Sequence, residues 1–202
     1  LDRDSVVARW LVKSGVPEQE LEWFAANACP PDILGFNYYL TSERFLDHRT
    51  NLYPRMAAGG NERDRYVDVE AVRVTWLGGW RNLLRDAWER FRRPMAITEV
   101  HNGCTREEQM RWLVEAWQTV QDLRTAAIDV RAITVWALLG SHDWNSLVTR
   151  RTGHYEPGAF DTRSPSPRPT ALARATKSLT ATGRFDHPLL DSPGWWHRPE
   201  RF

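Results

Sequence analysis

The chain has 202 residues, 42% of them hydrophobic and 26% charged, with Lys+Arg 27 against Asp+Glu 26 and a net charge of +1. That length suits one folding unit, the composition excludes a disordered chain, and the charge balance leaves no electrostatic footprint for nucleic acid. No uncharged apolar run approaches the length of a membrane span. Two cysteines, Cys29 and Cys104, are too few for a disulfide scaffold and predict reduced thiols in a cytoplasmic protein.

Residues 4 to 13 and 17 to 27 read as two short helices, the second opened by Pro17 with Glu18 and Glu20 in its first turn. After Pro30–Pro31 the run Ile33 to Tyr39 is short, apolar and aromatic, which predicts a strand buried on both faces. A polar stretch with a Gly59–Gly60 tip follows. From Asp68 to Arg92 the spacing of Val74, Leu77, Trp80, Leu84, Trp88 and Phe91 predicts an amphipathic helix weakened at Gly78–Gly79. Pro94 to Thr98 is a second buried strand ending in Glu99. Thr105 and Glu108 form a capping-box pair that opens a helix with Met110, Leu113, Val114, Trp117 and Val120 on its buried stripe. Arg131 to Leu139 is a third strand, and a last helix runs to about Ala181. Strand, helix, strand, helix, strand with buried strands predicts parallel β/α units.

In such architectures reactive groups gather at the carboxyl ends of the strands. Those ends carry Asn37 and Tyr39, then Glu99, then Trp136 with Asp143 and Trp144 just beyond. A carboxylate on a buried strand is costly to desolvate unless something requires it there. Beside aromatic faces and hydrogen-bonding groups, it is what a sugar pocket needs. Eleven tryptophans are present; Trp80, Trp88, Trp112 and Trp117 lie at helical spacing and are expected to face the core.

The segments DILGFNYYLTS (32–42), ITEVHNG (97–103) and VWALLGSHDW (135–144) resemble, in order, the last three strands of the retaining family 1 glycoside hydrolases of the β-glucosidase type. Those read FLGxNYYTS, ITENG and WSLLDNFEW. The resemblance runs from about residue 32 to about 180. It implies an α/β fold that is the carboxyl-terminal portion, about three βα units, of a (β/α)8 TIM barrel. Glu99 takes the place of the nucleophile, Tyr39 that of the tyrosine hydrogen-bonded to it, and Asn37 that of the neighbouring asparagine. Trp136 matches the platform under the sugar, Asp143 the residue gripping the outer hydroxyls, and Trp144 the tryptophan assisting it. The substrate implied is a carbohydrate, with no cofactor and no metal.

The sequence departs from that pattern. Val100 and His101 interrupt ITENG, and no Asn-Glu-Pro, the family's acid/base motif, occurs in the chain. A (β/α)8 barrel typically needs ~250 residues, and the chain opens on Leu1 rather than Met. The expectation is therefore a piece of a longer barrel, inactive alone and completed by a missing amino-terminal part. Residues 1–182 are expected to form the partial barrel and 183–202 an extended tail or interdomain linker. Within that tail, HPLLDSPGWWHRPERF (187–202) resembles the linker of bacterial proteins in which a family 1-like glycosidase domain precedes a dTDP-4-dehydrorhamnose reductase-like domain, making such a domain an expected partner. The other function class is a non-hydrolytic carbohydrate-binding or scaffold module.

Overall fold

The computed structural model describes residues 4–75 and 77–201; Leu1 and Phe202, which bound the expected segments, lie outside them. The chain divides into two units, Leu1–Asp32 and Ile33–Phe202. In the first, α1 (Val6–Lys13) is capped by Ser5, whose hydroxyl oxygen accepts the Ala8 N–H at 3.1 Å. Lys13 sits in the last turn, where the helix dipole favours a cation. Gly15, at φ +97°, turns the chain toward α2 (Glu18–Ala26). Trp10, Trp23 and Phe24 are exposed.

The second unit begins with β1 (Leu34–Asn37) and continues into a small antiparallel sheet in place of the expected polar stretch. Strands β2 (Arg44–Asp47) and β3 (Ala58–Gly60) flank β4 (Arg65–Glu70). The long helix expected from Asp68 to Arg92 is thereby corrected. Its first residues belong to β4, Ala71–Arg73 make one 3-10 turn, and α3 runs only from Gly79 to Phe91. The cause is a cap supplied from far away in sequence. Glu43 accepts the N–H groups of Gly78 and Gly79, at 2.7 and 3.0 Å, and the Tyr38 hydroxyl at 2.6 Å, so the helix starts where its orphan donors find a carboxylate.

Next come β5 (Met95–Val100), α4 (Arg106–Thr125) and β6 (Val130–Val135). Thr105 caps α4 as expected, its hydroxyl oxygen accepting the Glu108 N–H at 3.5 Å. The Glu108 side chain, instead of closing the box, turns to Arg111 and Arg198. Short ribbons follow: β7 (Ser141–His142) pairs with β8 (Tyr155–Glu156), and β9 (Phe160–Asp161) with β10 (Arg168–Pro169). Helix α5 (Ala171–Thr182) ends at Gly183, whose φ of +73° suits a left-handed cap. Among the described residues no helix is long and apolar enough to cross a membrane.

Strands β1, β5 and β6 form one parallel sheet in that order. One face, carrying Leu34, Phe36, Met95, Ile97, Val130 and Ile133, packs into a core with Trp80, Leu84, Trp112, Leu123, Leu172 and Leu179 from the helices. The other face, with Gly35, Asn37, Thr98, Ala132 and Thr134, is exposed. The expectation of strands buried on both faces is thus corrected. The runs look uniformly apolar because the second face alternates in with small or hydroxylated residues. Gly35 has a steric reason: a Cβ there would lie 2.9 Å from Thr98 Cγ2. No closed barrel is formed among the described residues.

The segment after α5 carries 3-10 turns at Pro188–Asp191, Trp195–His197 and Pro199–Arg201. Trp196 is 2% exposed and meets the Trp112 ring edge-on at 5.2 Å. Its indole N–H donates to Glu115 at 2.8 Å, and His197 Nε2 lies 3.0 Å from the same carboxylate.

Candidate functional site

The site builds up from the register of the three parallel strands. Asn37 pairs with Glu99 across a break in the β1–β5 ladder, and a second irregularity separates Ile97 from Val100 where β5 meets β6. Such breaks in register re-aim side chains at strand ends. Glu99 is the penultimate residue of β5, not its last, and its side chain is half-buried. The Tyr39 hydroxyl, two residues past β1, donates to Glu99 Oε2. The neighbouring Thr98 hydroxyl donates to Asn37 Oδ1 at 2.6 Å. The Trp136 backbone N–H donates to the Val100 carbonyl at 3.1 Å, which sets the Trp136 backbone beside the end of β5. The Trp136–Ala137 peptide is cis.

Trp144 stands 5.8 Å from Trp136 between ring centroids, tilted 36°, and is 43% exposed. Strand ends thus bring Asn37, Tyr39 and Glu99 together and set the Trp136 backbone beside the end of β5, with the Trp144 ring against that of Trp136. Among the described residues no arginine pairs with Glu99, although arginines are plentiful.

Asp143 is placed differently. It is 8% exposed, at φ +55°, and its Oδ1 accepts the Thr152 hydroxyl at 2.6 Å, the His154 N–H at 2.9 Å and the Thr152 N–H at 3.1 Å. These bonds, the Thr152 hydroxyl first, hold its carboxyl below the usual carboxylate range against the opposing effect of desolvation. Its visible work is to tie the loop around residue 152 to the turn that presents Trp144.

Sequence reasoning did not find a second polar cluster beside this mouth. His101 Nε2 lies 3.2 Å from Glu156 Oε1, which also accepts Gln109 Nε2 at 3.1 Å, and the His101 ring stands edge-on to Tyr39 at 6.3 Å. The one available signal was the Val100–His101 insertion. Gln109 and Glu156 come from a helix and a ribbon that no local pattern connects. Cys29 and Cys104 are free and exposed.

No family model matches the chain, and no curated protein matches it. Solved structures do. A β-glycosidase from Pyrococcus horikoshii is similar at a TM-score of 0.54 and 20% identity, over 83% of this chain and 38% of that one. The virulence factor SghA from Agrobacterium tumefaciens, solved with its substrate analogue salicin, gives 0.50 at 15% identity, over 83% of this chain and 41% of its own. The fold resembles part of a glycosidase barrel. The chain spans about two fifths of the length of these structures, and at such identities the likeness speaks for the fold alone.

Proposed function

We propose that this chain supplies the nucleophile and sugar-binding half of a retaining β-glycosidase-like barrel acting on O-glycosidic bonds. Glu99 is the nucleophile, Tyr39 orients its carboxylate, and Asn37, Trp136 and Trp144 contact the sugar. The observation that carries the reading is the Tyr39 hydroxyl donating to the Glu99 carboxylate at the ends of adjacent parallel strands. A retaining mechanism needs a carboxylate that attacks the anomeric carbon and a second carboxyl group about 5–5.5 Å away that protonates the leaving oxygen. In this reading the second group comes from outside these 202 residues. A hydroxyl donated to Glu99 keeps one oxygen fixed and the other oriented for attack.

The test is turnover of an aryl β-glycoside by the intact natural protein. Glu99→Gln is expected to reduce kcat by about 10³-fold or more while sugar binding persists. Unchanged kinetics exclude the role. A second reading is a non-hydrolytic carbohydrate-binding or scaffold domain serving a reductase-like partner, supported by the stacking pair Trp136 and Trp144, 5.8 Å apart between ring centroids, which sugar binding without hydrolysis would use. That reading predicts sugar binding with no turnover for Glu99→Gln to remove.

A further inference from the structure

Tyr39 holds Glu99 by the far end of its side chain, so the hold depends on what keeps the Tyr39 ring in place. Tyr39 lies two residues past β1 and is half-buried. A turn fixes its backbone: the Tyr39 N–H donates to Ser42 Oγ and the Ser42 N–H to the Tyr39 carbonyl, both at 2.9 Å. Neither bond restrains the ring, which can still turn about its side-chain torsions. Support for it comes from the neighbouring strand. The His101 ring meets Tyr39 edge-on, 6.3 Å between centroids and 77° between planes, inside the range of an edge-to-face aromatic contact.

His101 is itself anchored. Its Nε2 lies 3.2 Å from Glu156 Oε1, and the same oxygen accepts Gln109 Nε2 at 3.1 Å. Gln109 is buried on α4, and its amide also donates to the Cys104 carbonyl at 3.4 Å. Glu156 is paired with Ser141 in the β7–β8 ribbon, whose first strand leads into Trp144. A contiguous run of contacts thus leads from α4 and the ribbon through His101 and Tyr39 to Glu99. Every member is buried or half-buried, and hydrogen bonds withdrawn from bulk water are the stronger for it.

His101 follows Glu99 by two residues, at the point where the sequence departs from ITENG. A clamp between the end of β5 and the ribbon would need the Glu156 contact but not the one with Tyr39. His101 also lines the two cavities beside the mouth, one of about 620 Å³ shared with Tyr39 and one of about 510 Å³ shared with Trp144 and Glu156. We propose that His101, anchored by Glu156, is a positioning residue that braces the Tyr39 ring and through it holds the Glu99 carboxylate in the attitude for attack. The proposal rests on the nucleophile role proposed for Glu99 and deepens it, giving the Val100–His101 interruption a task.

Two measurements on the intact natural protein test the brace. With 3-fluorotyrosine incorporated, and the Tyr39 resonance assigned by its loss in Tyr39→Phe, His101→Ala is expected to shift or broaden that fluorine signal. On an aryl β-glycoside the same variant should lower kcat about tenfold while KM changes less than about twofold, since misplacing a reacting group costs rate rather than binding. Glu156→Leu should reproduce both effects, and adding it to His101→Ala should cost no more than either alone. Glu156→Gln, which keeps an oxygen acceptor for His101, should lose less than about threefold in kcat. Should Glu156→Leu fail to fold, His101→Ala and Glu156→Gln carry the test. A Tyr39 resonance unmoved by His101→Ala, an unchanged kcat, or additive losses in the double variant each overturns the brace. The nucleophile reading fails by a different result: a Tyr39 resonance that moves in His101→Ala beside turnover indifferent to Glu99→Gln sinks the role of Glu99 and leaves the support of Tyr39 standing.

Discussion

Trp196 offers the sharpest perturbation of the fold. Its indole is 2% exposed, meets Trp112 edge-on at 5.2 Å and donates to Glu115 at 2.8 Å. Removing a buried tryptophan side chain costs about 3–5 kcal/mol through lost transfer energy and the cavity left behind. The lost hydrogen bond belongs to the same change, since Glu115 keeps His197 and open solvent as partners. Trp196→Ala is therefore expected to lower unfolding free energy by about 4 kcal/mol, a large part of a typical domain's stability. Trp196→Phe keeps most of the apolar contact and should lose about half of that. Trp144→Ala, on an exposed ring, should lose less than about 0.5 kcal/mol. Guanidinium unfolding monitored by circular dichroism gives all three, with an unchanged m-value confirming a common transition. A loss below about 1 kcal/mol for Trp196→Ala, or equal losses at 196 and 144, would refute the placement of the tail in the core.

Two further outcomes depend on hydrogen-bonded carboxylates. Glu43→Ala uncaps α3 and leaves the Tyr38 hydroxyl without its acceptor; it should cost about 2 kcal/mol, read from the denaturant midpoint, and no measurable loss would remove the cap from the account. Arg163 bonds, together with Tyr155 and Arg168, hold the Asp161 carboxyl far below its ordinary value, and Arg49 does the same for Asp47. A depressed carboxyl contributes stability that is present above its unfolded value of about 3.9 and lost as pH falls toward the folded one. Stability should therefore decline below about pH 4 and decline less steeply in Asp161→Asn, as acid titration of the far-UV signal would report; an unaltered acid limb contradicts it.

How much of this was legible in the sequence depended on the range of the forces involved. Helix α4 was readable because Thr105, its cap, and the stripe from Met110 to Val120 are local. The mouth residues Tyr39 and Glu99 were readable because parallel strands deliver their ends to one place. The start of α3 was not, because its cap Glu43 sits 35 residues upstream of Gly78. The β7–β8 and β9–β10 ribbons have strands of two residues, too short for any alternation to register. The open sheet face escaped notice because small residues such as Gly35 and Ala132 give no sign of which side they occupy. The bonds that occupy Asp143 come from Thr152 and His154, whose relation to it exists only once the ribbon has formed.

The proposed attack of Glu99 on the anomeric carbon can be trapped directly. A 2-deoxy-2-fluoro-β-glycoside bearing a good leaving group slows breakdown of a glycosyl–carboxylate ester more than its formation, so the adduct accumulates on the nucleophile. Peptide mapping of the intact natural protein after such treatment should find the added sugar mass on Glu99, in the peptide containing Thr98 and Val100. Turnover accompanied by the same mass on any other carboxylate would contradict the account.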